Sequence, residues 1–186
     1  MNESELQLGG ERYDDLWWLL LRMKEAKQAE QWLARLEDQT VVDLGSGQNT
    51  LNFQRFLTIY GAKHYIAVDK ISRPAFHYMD SELITGDMLE TLRSLPSKAF
   101  SVSMNGINKE LIDPNSPETA ELREEILRVL HPEGLILGVG GGGILQVLTQ
   151  KPELNSLFIP IAGMPEDKDN GFYLLAKRNL STGPAS

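Results

Sequence analysis

The sequence predicts an α/β domain built on a doubly wound, mostly parallel seven-stranded sheet, with a helix before the first strand and an antiparallel hairpin at the end. Three observations predict it. Short apolar runs bounded by Gly, Pro or acidic residues recur along the chain, helix-compatible stretches separate the early runs, and only a short polar segment separates the last two. Parallel strands need crossovers, so the alternation puts helices on both faces of the sheet, whereas a short final link forces one strand to run back.

Each element follows in order. Residues 13–36 lack Gly and Pro, and Leu16, Leu20, Met23, Trp32, Leu33 and Leu36 recur at helical spacing, which predicts a long amphipathic helix. Residues 40–44 read as a buried strand ended by Gly45-Ser46-Gly47, and 51–60 as a helix stopped by Gly61. A second strand at 64–69 and a third at 83–87 flank a short, weak helix over 72–79. Residues 88–95 form a helix closed by Pro96, before a fourth strand at 100–105. Pro117 suits the start of a helix running to Leu130, His131-Pro132-Glu133-Gly134 turns the chain, and 135–139 is the fifth strand. Strands at 157–162 and 172–176, joined by 164–171, make the hairpin, and 181–186 is a frayed tail.

Composition narrows the function. The 186 residues are 41% hydrophobic and 24% charged, which suits one domain spanning 1–186 with its core at about 40–177. No apolar run approaches the ~20 residues of a bilayer-crossing helix, and the first residues lack the basic flank of a signal peptide, so no membrane association and a cytoplasmic location are expected. The absence of cysteine excludes disulfides, thiolate metal sites and a Cys nucleophile. His64, His77 and His131 lack metal-type spacing, so no metal is expected. A net charge of −8 without a dense Lys/Arg block disfavours nucleic acid, leaving a small molecule or a protein as the expected substrate.

The first strand runs through Asp43 into Gly45-Ser46-Gly47-Gln48-Asn49, and a helix follows. Glycines at such a turn let a ligand approach the backbone, while the helix amino terminus offers N–H groups. Asp69 ends the second strand, 22 residues after Gly47, where a carboxylate can accept from both ribose hydroxyls. Asp87 closes the predicted third strand, with Met88 beside it as an apolar wall for an adenine. Together these residues resemble the class I S-adenosylmethionine-dependent methyltransferase family, with its Rossmann-like fold: Asp43-Leu44-Gly45-Ser46-Gly47 is similar to the first motif, Val68-Asp69 to the ribose-binding acid, and Gly86-Asp87-Met88 to the adenine-side motif. Arg128-Val129-Leu130-His131-Pro132-Glu133-Gly134 is similar to the stretch before the fifth strand. Each motif alone is common by chance; their order and spacing together are more specific.

The resemblance implies S-adenosylmethionine as cofactor, with Asp43, Gly45, Ser46, Gly47 and Asn49 at its amino-acid end, Asp69 at the ribose, and Asp87 with Met88 at the adenine. It makes Asn105, at the end of the fourth strand, the candidate for touching the methyl donor or acceptor. Three departures stand out. Asn49 replaces a third glycine, Met104-Asn105-Gly106-Ile107 lacks the Pro-Pro-aromatic sequence that grips amino groups, and Ser101 occupies a place where an acid is common. The first two, with the lack of any sizeable substrate-recognition insertion, carry the alternative of a catalytically weak or inactive methyltransferase-like partner subunit. A nicotinamide-dependent oxidoreductase is a third reading, opposed by the closing hairpin.

Other features have bland readings beside functional ones. The second glycine cluster, 138–143, also follows a strand, but only a hairpin is predicted after it, so it reads as close backbone packing or a wall of the substrate pocket. His64 and His131 fall at the amino ends of strands and read as structural; His77 is nearer the ribose side. Trp17 and Trp18 are about 100° apart on a helix, so both cannot face the core, and one is a candidate lid or partner contact. Tyr13 is a candidate to reach over the cofactor.

Overall fold

The computed structural model describes residues 17–21, 26–47, 50–71, 78–105, 113, 115–140, 142–161 and 171–178. The strands are β1 Thr40–Leu44, β2 His64–Asp69, β3 Ser81–Thr85, β4 Phe100–Asn105, β5 Leu135–Val139, β6 Leu154–Pro160 and β7 Gly171–Lys177. They form one seven-stranded sheet in the order β3-β2-β1-β4-β5-β7-β6. Strands β1 to β5 pair in parallel, and β7 lies antiparallel between β5 and β6. This is the expected fold class, a doubly wound sheet with an antiparallel closing strand.

The main helices are α1 Ala26–Leu33, α2 Leu51–Ile59, α3 Met88–Ser94, α4 Pro117–Val129 and α5 Gly142–Thr149. Side chains alternate across a strand, so each strand feeds two layers. On one face Val41, Tyr65, Leu137 and Phe172 pack with Trp17, Leu33, Phe53 and Phe56. On the other Val42, Val68, Val102 and Ile136 pack with Leu92, Leu122, Ile126 and Leu148. Because both faces are covered, the central strands read as continuous apolar runs. Ser101, fully buried, accepts a hydrogen bond from Leu135 N at 3.0 Å and so ties β4 to β5, which gives that residue a structural use.

Strands β1, β2, β4 and β5 have the bounds the sequence predicts. The third does not. It covers Ser81–Thr85 because pairing with β2 matches Tyr65 to Ser81 and Asp69 to Thr85, which leaves Asp87 outside the strand as the N-cap of α3. Strand β6 likewise begins at Leu154 and ends at Pro160, since its register on β7 starts at Lys177.

The helix α5 corrects the expectation that only a hairpin follows β5. Gly142 and Gly143 cost this helix about 1 kcal/mol each relative to alanine. Burial of Ile144, Leu145 and Leu148 contributes about 1.5–3 kcal/mol apiece and outweighs that cost. The long helix expected over 13–36 is described in two pieces, 17–20 and α1, with Leu21 in a turn after the first. After α1 the chain tightens into a 3-10 turn at Ala34–Leu36 before β1. Tyr78 and Met79, placed in the expected weak helix, lie in a bend. Residues 13–16, 72–77, 164–170 and 181–186 lie outside the described residues, and with them the rest of that helix, the hairpin link and the tail. Among the described residues no helix is long and apolar enough to cross a membrane.

Candidate functional site

Because β1, β2 and β3 are parallel and in close register, their carboxyl ends share one rim, with Leu44 beside Val68 and Asp69 beside Thr85. The chain leaves β1 through Gly45 at φ 68° and Gly47 at φ 70°. A residue with a Cβ would spend about 1–2 kcal/mol at each, which is why glycine stands at both. Gly45 N and Ser46 N donate to Val68 O at 2.8 and 3.2 Å, pressing the turn against the end of β2. Asp69 completes the clasp: Oδ2 accepts from Gly47 N at 2.8 Å and Oδ1 from Ile71 N at 2.9 Å. Each carboxylate oxygen keeps a further lone pair for a ligand hydroxyl. The Ser46 hydroxyl is buried and finds no hydrogen-bond partner among the described residues.

Asp43 lies beneath this turn, 1% exposed, its Oδ2 accepting from the Tyr65 hydroxyl at 2.6 Å. A buried carboxylate needs such donors, and a strand neighbour supplies one. At the far side of the rim Gly86 N donates to Asp69 O at 2.9 Å, which brings Asp87 alongside. Asp87 Oδ1 accepts from Leu89 N at 2.9 Å and Glu90 N at 3.4 Å, while Oδ2 pairs with Lys70 Nζ at 3.2 Å. Partial desolvation pushes the Asp87 carboxyl up, but the Lys70 ammonium and the two helix amides outweigh it, so it titrates below its ordinary range. Met88 opens α3 and packs, partly buried, against the layer under α3 and α4. The three carboxylates and the glycine turn therefore gather along one edge of the sheet.

Asn105 stands at the carboxyl end of β4, next to Val139 of β5. Its Oδ1 accepts from Trp17 Nε1 at 3.0 Å and its Nδ2 donates to Ser103 Oγ at 2.8 Å. Trp17 is fully buried, with its ring 5.6, 4.9 and 5.3 Å from those of Phe53, Phe56 and Phe172, and Trp18 is the half-exposed member of the pair. Tyr65, Lys70 and Ser103 escaped sequence reasoning as site neighbours. Lys70 adjoins Asp69 and Ser103 sits two residues before Asn105, so proximity in sequence was the available signal. Asn49, His77 and Tyr13 lie outside the described residues.

The remaining expectations fall at other places. His64 opens β2 with Nδ1 3.0 Å from Asp80 Oδ2, and His131 Nδ1 accepts from Glu133 N at 3.1 Å; both sit at the amino rim. A Cβ on Gly138 would come within 2.5 Å of Met104 O and 2.6 Å of Leu145 Cδ1, so this glycine serves close packing.

The strand order, the antiparallel β7 and the glycine turn clasped by an acid define a class I methyltransferase fold. Solved structures share it. The chain is similar to SMU.1697c of Streptococcus mutans, described as a methyltransferase candidate and solved in complex with SAH, at TM-score 0.56 and 15% identity over 84% of this chain and 99% of that one. It is similar to an rRNA methylase from Streptococcus thermophilus at TM-score 0.56 and 14% identity, covering 83% of this chain and 97% of the other. A candidate rRNA methylase from Clostridium thermocellum matches at TM-score 0.54 and 14% identity over 83% and 96%. No protein-family model and no curated protein sequence matches the chain.

Proposed function

We propose that this protein is an S-adenosylmethionine-dependent methyltransferase acting on a small molecule or a protein side chain. The observation that carries the reading is the 2.8 Å hydrogen bond from Gly47 N to Asp69 Oδ2, which joins a ribose-type acid to a glycine turn on one rim. When bound, the cofactor supplies a methyl group already activated on a sulfonium. The protein's task is then to align a nucleophile and exclude water.

In this reading Asp43, Gly45, Ser46, Gly47 and Asn49 hold the amino-acid end of the cofactor. The orphaned, buried Ser46 hydroxyl fits that assignment, since a polar ligand group would satisfy it. Asp69 takes the ribose, Asp87 and Met88 flank the adenine, and Asn105 faces the methyl group or its acceptor. Asn105 has no titratable proton, so it orients rather than deprotonates. Some structural neighbours are named rRNA methylases, but a net charge of −8 favours a small-molecule or protein acceptor over a phosphate backbone.

A second reading rests on one observation. Asp69 and Asp87 already satisfy backbone amides and Lys70, as they would in a methyltransferase-like partner subunit that binds the cofactor weakly or not at all. Calorimetric titration with S-adenosylmethionine, S-adenosylhomocysteine and NAD separates the two. Saturable binding of the first two, without NAD, is the expected result; silence from all three overturns the enzyme in favour of the partner subunit.

A further inference from the structure

Hydrogen bonding on either side of β7 fixes which backbone groups of β6, the last strand of the sheet, face outward. Residues opposite one another in an antiparallel pair alternate between those that exchange hydrogen bonds and those that do not. Arg178 N donates to Glu153 O at 2.9 Å, one step beyond the pairing of Lys177 with Leu154. On the other side Gly140 N donates to Gly171 O at 3.1 Å, one step beyond the pairing of Val139 with Phe172. Both give the same phase. Asn155, Leu157 and Ile159 bond to β7, while Leu154, Ser156, Phe158 and Pro160 turn their backbone groups to the open edge.

The two ends of that outward row are closed. Leu154 N donates to Lys151 O at 3.1 Å, Leu154 O accepts from Arg178 Nε at 3.2 Å, and Pro160 has no N–H. Between them Ser156 and Phe158, both exposed, present N–H and C=O groups that meet no partner among the described residues. Strand β6 carries no charged residue, whereas the opposite edge, β3, exposes Glu82 just after Asp80. Charges on an edge strand guard it against strand addition, and β6 lacks that guard.

We propose that β6 pairs antiparallel with β6 of a second copy about a two-fold axis at Leu157, joining two sheets into one. In that register Ser156 of each copy stands opposite Phe158 of the other; each Ser156 N–H donates to a Phe158 carbonyl, and each Phe158 N–H to a Ser156 carbonyl. Every free group on Ser156 and Phe158 is then satisfied. Sliding two residues one way sets Phe158 against the closed Leu154, and sliding the other way sets Ser156 against Pro160, so the register is specified. At the axis the half-buried Leu157 meets its own copy in the closer, non-bonded type of pair, which adds an apolar cross-strand contact. The contact is short, so the association is weak and depends on concentration. A net charge of −8 on each copy opposes it, so salt strengthens it.

Sedimentation velocity of the full-length protein from about 1 μM to about 1 mM should show monomer giving way to dimer, further at higher salt. In 15N-labelled protein, hydrogen exchange at the Ser156 and Phe158 amides should slow about tenfold as concentration rises, while that of Leu157, already bonded to β7, stays the same. Ser156→Pro deletes an outward N–H without touching the β7 ladder, so it should fold and weaken the dimer about tenfold or more. Ser156→Ala keeps the N–H and should dimerise as the wild type does. The proposal is overturned if the wild type stays monomeric across the range, if Ser156→Pro dimerises as tightly as Ser156→Ala, or if a dimer forms while the Ser156 and Phe158 amides exchange as in the monomer. Should Ser156→Pro not fold, the wild-type exchange measurement decides alone.

Discussion

The turn after β1 and the turn after β5 look alike in sequence, both a glycine cluster following an apolar strand, yet they solve different problems. Gly45 and Gly47 adopt left-handed backbone, and their amides meet Val68 O and the Asp69 carboxylate at the carboxyl rim of the sheet. Gly138 lies inside β5, where a side chain would collide with Met104 O and Leu145, and Gly142 and Gly143 open helix α5. After β1 the left-handed glycines meet a carboxylate; after β5 Gly138 supplies space, and Gly140, left-handed at φ 63°, gives its N–H only to the Gly171 carbonyl at 3.1 Å. A glycine-rich stretch is thus informative about binding only when an acid from a neighbouring strand meets it.

Substitutions on the two sides sharpen this contrast. The largest effect is expected for Gly138→Ala, whose Cβ meets backbone rather than a yielding side chain; urea unfolding should show a loss of about 3 kcal/mol, at the upper end for overpacking. The same variant should bind S-adenosylhomocysteine unchanged wherever it is folded, and a selective loss of affinity instead would make the β5 turn a ligand site. Asp69→Ala removes the acceptor of two turn amides and should cost about 2 kcal/mol in stability. Its calorimetric affinity for S-adenosylhomocysteine should fall about tenfold or more, which an unaltered isotherm would contradict. Gly47→Ala should cost about 1–2 kcal/mol through backbone strain, with a parallel loss of cofactor affinity.

The smallest effect is expected at Asp87, where removal of the cap in Asp87→Ala should cost about 1 kcal/mol near neutral pH. Its pH dependence has a definite sign. The folded-state pKa is depressed, so the ionised cap stabilises the fold above the ordinary carboxylate range, and the benefit is lost as pH falls through that range and past the folded pKa. Unfolding of wild type and Asp87→Ala compared from neutral to acidic pH should therefore converge on the acid side. A gap that stays constant would mean the charge contributes nothing.

Much of the fold was legible because its signals are local. Strands such as Thr40–Leu44 and Leu135–Val139 are apolar runs punctuated by glycine, and the pattern needs no knowledge of neighbours. Helix α5 was missed because its opening glycines read as loop, although Ile144, Leu145 and Leu148 already had helical spacing. The shift of β3 was not readable, since its ends are set by pairing with β2. Asp87 as a helix cap was readable in hindsight: it stands three residues before Glu90 at the head of an apolar-spaced stretch.

The sequence by itself determined the chain order of the seven strands and of the helices other than α5, the glycine turn after β1 and the placing of Asp43, Asp69 and Asp87 at or near strand ends, because these depend on patterns a few residues long. Only the tertiary structure decided that Asp69 clasps Gly47, that Tyr65 supports Asp43 and that Trp17 anchors Asn105 across 88 positions of chain. Hydrogen bonds between side chains on different elements follow from how the sheet and its covering layers pack, and that packing is a property of the whole chain rather than of any stretch within it.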